Sequence, residues 1–230
     1  MPWHVKATGW GYERTSQEAK DNCTMIMNIL YSLGWGKAAI CAACGNFERE
    51  SVYNPWLWQG DNPIPVGDSR IGTIGGGNTA HAYGLMQSDP AANYVSEPTC
   101  HSFPNFGPNY ANQTGNQSDG EAQMYYLNWV CTNYQDGTRG GWNNYHLDSI
   151  PFATFKAQND LSNYTMAQLV KAFHDGYERS ATWSSTGTTR IAAGEYWWNY
   201  FNGYDPPTPP IPPTPTGRKL PIFFYLRYPF

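Results

Sequence analysis

Charge is scarce in this 230-residue chain, where Asp, Glu, Lys and Arg together make up 14% of the residues. The formal net charge is −4, which argues against nucleic acid as a partner, because phosphate backbones are held by a concentrated basic stripe. No apolar run is long enough to cross a bilayer, so stable membrane insertion is not expected. The opening MPWHVKATGWGYERTSQEAK lacks the basic start and apolar core of a secretory signal. Action outside the producing cell would therefore need another route of delivery. Cysteine is sparse and odd in number: Cys23, Cys41, Cys44, Cys100 and Cys131 leave at least one without an intramolecular partner. Cys41 and Cys44 form CAAC in an Ala-rich run without the Trp and Pro that usually flank a redox pair, and Cys100-His101 lies far away in sequence. Small buried thiols are the expectation, with no metal and no cofactor.

Aromatic residues are abundant, at 16% of the chain with ten Trp and seventeen Tyr. Together with many Asn and Gly, they describe a surface that works by stacking and hydrogen bonding. Carbohydrate suits such a surface, since sugar C–H faces lie on rings while amides meet hydroxyls; the plainer reading is an aromatic-rich core. The length and apolar content fit one domain with an appendage.

Helical periodicity organises the chain. Thr15 and Glu18 have capping-box spacing, and Met25, Ile26, Ile29, Leu30 and Leu33 follow on one face, up to a stop at Gly34. A second helix is expected from Lys37 to Glu50, with Asn54-Pro55 beyond its end. Residues 56–118 are Gly-, Pro- and Asn-rich, with a short hairpin around Gly75-Gly76-Gly77. Helices are expected again at Gly120–Tyr134, Thr165–Asp175 and Thr189–Asn202. The fold class is α+β, mainly helical with a small β part. From Asp205 the composition changes. Residues 206–216, PPTPPIPPTPT, form a stiff polyproline spacer. Residues 217–230, GRKLPIFFYLRYPF, are too apolar to stay free and are expected to dock on a partner protein or another copy.

The chemistry centres on GNFERESVYNPW, residues 45–56. Glu48 and Glu50 are two positions apart, so on a helix they point to nearly opposite sides and only one faces a given cleft. Glu50 falls at the helix C-terminus, whose unsatisfied carbonyls disfavour a carboxylate, and YNPWLW adds desolvation. Both effects favour a protonated general acid near neutrality. Glu48 lies further inside, beside Arg49, and has no comparable reason to hold a proton.

The segment from Asn22 to Gln59, with Gly45-Asn46, Glu50-Ser51 and Asn54-Pro55, is followed by HAYGLMQ. This resembles the bacteriophage tail lysozyme family, as do AFHDGYERSATWSS and RIAAGEYWWNYF, over about residues 15–203. Ser88 and Asp89 follow the Gln where the family often has Trp. The resemblance implies a lysozyme-like catalytic domain over 1–205 that cuts the β-1,4 bond between N-acetylmuramic acid and N-acetylglucosamine of peptidoglycan, with the hairpin beside the cleft. It implies a virion protein, made in the host cytoplasm without a signal peptide, that opens the wall locally during DNA entry. Tail proteins are the expected partners of 217–230. Glu50 matches the catalytic acid, while Tyr83 and Gln87 match cleft-lining, sugar-binding positions. His81 and Asp61 are further substrate-binding candidates. Asp68 is the first choice for a second carboxylate, ahead of Asp61 and with Asp89 also in range. Glu178 and Arg179 read as an ion pair supporting the cleft wall. Three alternatives remain: lytic transglycosylase chemistry on the same bond, a cysteine amidase or peptidase, and a non-catalytic structural or glycan-binding tail component.

Overall fold

The computed structural model describes residues 1–60, 62–71, 81–145, 150–179 and 183–207. Seven α-helices lie among the described residues: α1 Gln17–Ser32, α2 Lys37–Ser51, α3 Ala92–Val95, α4 Asp119–Asn133, α5 Phe152–Lys156, α6 Met166–Phe173 and α7 Trp183–Tyr200. A π turn, His174–Glu178, continues α6. Regular strands are absent among the described residues, where isolated bridges join Trp58 to Tyr83, Tyr83 to Ser88 and Asp136 to Asn143. The expected hairpin around Gly75-Gly76-Gly77 lies outside the described residues, as do most of the spacer and all of the apolar C-terminal segment.

α2 is the axis of the domain. Ala38 to Phe47 are buried on every side of it, a pattern that fits an interior helix and not a surface one. α7 packs most extensively against α2, and α6 and α1 cover its other sides. Small residues set the α2–α7 crossing. A Cβ at Gly45 would come within 2.7 Å of the Arg190 carbonyl oxygen and 2.8 Å of the Gly194 amide nitrogen. A Cβ at Gly194 would in turn meet Val170 of α6 at 2.7 Å.

Several boundaries differ from expectation. Ser16, not Thr15, caps α1: its hydroxyl accepts from the Ala19 amide at 3.1 Å. Gly34 does follow the end of α1, in the left-handed region at φ +83°. Thr165 and Gln168 close a reciprocal capping box at the start of α6. α7 begins six residues before the expected Thr189, because its buried stripe of Thr186, Gly187, Arg190, Ala193, Gly194 and Trp197 starts earlier than the aromatic run that marks it in sequence. No helix among the described residues is long and apolar enough to cross a membrane.

Overpacking a filled crossing typically costs about 1–3 kcal/mol. Gly45→Ala is expected to lose stability in that range, read as a lower urea midpoint with an unchanged slope. An unchanged midpoint would show that α2 and α7 have slack at this contact.

Candidate active site

Glu50 is on the last turn of α2 and faces an open cleft of about 290 Å³. Trp10, Trp58 and Gln59 form part of its walls, and Arg49, Gln87, Asp89 and Glu178 also line it. The Glu50 carboxylate accepts a hydrogen bond of 2.5 Å from Arg190 Nη2. Arg190 Nη1 donates at 2.5 Å to Glu178 Oε2 and at 3.0 Å to Asn46 Oδ1, and Nε donates to Thr186 Oγ1 at 3.2 Å. The guanidinium thus has acceptors at Nε, Nη1 and Nη2 although its side chain is only 2% exposed. Asn46 is fixed in turn, since its amide donates to the Ala42 and Val170 carbonyls.

The two carboxyls on this arginine have different surroundings. Glu50's side chain is 21% exposed and Glu178's 4%. Burial, followed by the charge of the nearby Glu50, pushes the Glu178 carboxyl well above the usual range, and Arg190 only partly opposes this. Glu178 Oε1 has no hydrogen-bond partner among the described residues. One arginine facing two ionised carboxylates would leave a net negative charge in this half-buried spot. A proton held on Glu178 removes that charge. The π turn at 174–178 inserts an extra residue into the helical ladder and re-aims Glu178 at the cleft.

Glu48 is turned away from the cleft, as the two-residue spacing requires. It pairs with Arg14 at 2.6 Å, not with Arg49, and accepts from Tyr53 Oη at 2.8 Å. Contrary to expectation, burial raises its carboxyl above the ordinary value despite both contacts.

The other sequence candidates separate. Gln87 lines the cleft, with its amide nitrogen donating to the Leu57 and Gly84 carbonyls at 3.0 Å. Tyr83 is buried behind Trp58, with ring centroids 4.4 Å apart. Its hydroxyl donates to Asp119 at 3.0 Å and accepts from the Asn109 amide, which leaves it inside the wall and not on its surface. His81 is half-buried next to the lining residue Ala82, its Nδ1 3.3 Å from the Gln59 carbonyl oxygen. Asp68 is not brought to the cleft. It forms a local pair with Arg70, whose hydrogen bonds hold its carboxyl down at about 2. Asp61 lies outside the described residues. Asp89 lines the cleft with Glu50. Glu178 pairs with Arg190 and not with Arg179, whose Nη1 instead donates to the Gly137 carbonyl.

Two site residues escaped the sequence reading. Arg190 is the charged member of the otherwise small or apolar buried stripe on α7, and that misfit was its available signal. Asp119 is buried at the start of α4 and accepts from Tyr83, Tyr94, the Gly107 amide and Gln123, tying the wall behind Trp58 together. Burial pushes its carboxyl up to about 6 against those four donors. All five cysteines are free and buried. Burial drives the Cys23, Cys41 and Cys131 thiols far up and Cys100 to about 12. No cluster suited to a metal ion occurs among the described residues.

An arginine-bridged carboxyl pair lines a cleft whose walls include Trp10 and Trp58. Comparison with known proteins gives the class a name. The chain matches the phage tail lysozyme family over residues 21–201 and belongs to it. It is also similar to morphogenesis protein 1 of Bacillus phage B103, at 28% identity over 188 residues. That match covers 81% of this chain and 41% of the relative, so the chain spans about two-fifths of the relative's length.

Because the folded Asp119 value lies above that of an unfolded carboxyl, its contribution to stability is fully present below pH ~4 and is lost as pH rises through about 6. The shift corresponds to roughly 3 kcal/mol. Asp119→Asn is expected to flatten the fall in urea midpoint between pH 4 and 7. A slope as steep as wild type would assign that pH dependence to other groups.

Proposed function

We propose that this protein is a virion-associated peptidoglycan hydrolase that cleaves the β-1,4 bond between N-acetylmuramic acid and N-acetylglucosamine, opening the wall locally as phage DNA enters. The observation that carries this reading is the pairing of Glu50 and Glu178 on buried Arg190 at the cleft. Glu50, the more exposed carboxyl, protonates the glycosidic oxygen as the C1–O bond breaks. Glu178 holds the proton for the pair through pH values at which an isolated glutamate has lost it, and passes it to Glu50 for delivery to the glycosidic oxygen. The amides of Gln59 and Gln87 at the cleft suit an uncharged sugar chain. Tyr83 supports the wall, and His81 stands beside it.

As the C1–O bond breaks, the protonated oxygen leaves with the N-acetylglucosamine and positive charge develops at C1 of the N-acetylmuramic acid. Water attacks there if a second carboxylate assists, and Asp89, on the cleft, is better situated for this than Asp68. Without such help the muramic acid's own hydroxyl closes an anhydro ring, the transglycosylase outcome. The cysteine amidase reading is disfavoured, because its nucleophile is a thiolate and no cysteine lines the cleft. Residues 217–230 are the segment proposed to join the domain to other tail proteins.

Three measurements test the assignment. Purified protein incubated with peptidoglycan should release soluble muropeptides, and Glu50→Gln should lower the rate roughly 10²- to 10⁴-fold. Mass spectrometry then separates the chemistries: reducing ends mark hydrolysis, anhydro-muramic ends transglycosylation, and free stem peptides an amidase. No release by wild type at any pH would leave a structural or glycan-binding tail component as the better reading. In the pH–rate profile, Glu178→Gln removes the neighbour that keeps a proton on the pair, so the alkaline limb should move to lower pH. An unmoved limb would exclude Glu178 from the proton balance.

A further inference from the structure

The first sixteen residues precede the segment that matches the family, yet they are built into the domain. Trp3 is buried, and a Cβ at Gly120 would strike its ring. His4 exchanges two backbone hydrogen bonds of 2.8 Å with the Asn22 side chain, and Lys6 exchanges a similar pair with Asn54 at 3.1 and 3.0 Å. Each asparagine amide here imitates a peptide group of a neighbouring strand. The segment lands again at Gly11 and Tyr12. A Cβ at Gly11 would run into the Val52 carbonyl, and the Tyr12 amide donates to that same oxygen at 2.6 Å. Val52 is two residues past Glu50, so this strap is pinned to the end of the acid-bearing helix. Between the anchors the chain turns at Gly9, with φ +79°, and presents Trp10 at 62% exposure.

Trp10 lines two depressions. One is the cleft that contains Glu50. The other is a groove of about 500 Å³ whose lining includes Lys6, Tyr12, Glu13 and Glu18. An indole this exposed costs free energy in water, and a strap anchored on both sides holds it at the seam where the two depressions meet. A ring this exposed on a fixed mount is suited to stacking against a sugar. Charged groups of both signs in the groove beyond suit the carboxylate and amine of a peptide-substituted saccharide.

We infer that Trp10 and the adjoining groove form a distal subsite for the same glycan strand, binding the peptide-bearing saccharide units that extend beyond the bond at Glu50. This rests on the proposed activity for its ligand, but it is tested by binding. In the Glu50→Gln background, co-sedimentation with purified peptidoglycan sacculi should weaken roughly tenfold on Trp10→Ala and largely recover with Trp10→Phe, at unchanged melting temperature. In the active protein, Trp10→Ala should raise KM on long glycan strands by a similar factor and raise KM on a tetrasaccharide by clearly less. Undiminished sedimentation, or equal loss on long and short substrates, would overturn the subsite. Absence of any muropeptide release by wild type would instead sink the proposed hydrolase, with the sedimentation result still deciding whether Trp10 binds glycan.

Discussion

A guanidinium taken out of water must be fully matched, and this requirement shapes the domain around Arg190. Its donors reach the end of α2 through Glu50 and Asn46, the π turn through Glu178, and its own helix through Thr186. A buried ion of this kind is costly to strand without its partners, so the three segments are held in one arrangement. The Gly45–Gly194 crossing makes the arrangement possible, because a wider separation of α2 and α7 would lift the guanidinium away from both carboxyls.

The end of α2 supports two acid environments back to back. On one side Glu50 meets the cleft and shares its cation with a second carboxyl. On the other, Glu48 is tied to Arg14 and, through Tyr53, to the Trp197 indole, which donates to the tyrosine oxygen at 2.8 Å. Helical geometry alone separates the two. The same aromatic richness serves opposite ends: Tyr53, Tyr83, Tyr94 and Trp197 are interior struts, while Trp10 meets solvent.

Local pattern made much of this legible. The existence of α1, α2 and α4, the start of α6 near Thr165 and the choice of Glu50 as the cleft-facing carboxyl all follow from spacing that a few neighbouring residues define. Partners distant in sequence did not. Arg190 was hidden in a small-residue stripe, Glu178 was matched with the adjacent Arg179 when its true partner lies on α7, and Asp68 satisfies itself on Arg70. Tyr83 was read as a sugar ligand from its motif, but its hydroxyl is consumed by Asp119, whose burial has no local signature. Composition announced a stacking surface without saying which rings face out.

Glu50 and Arg190 stand 140 positions apart. On a ribosome the carboxylate appears early, whereas its cation is added among the last turns of the domain. Until α7 has emerged and packed, Glu50 and Glu178 are both made but lack their shared counter-ion. Under the proposed activity, a wall-cutting domain assembled inside its own victim stays chemically blank until its last helix is made.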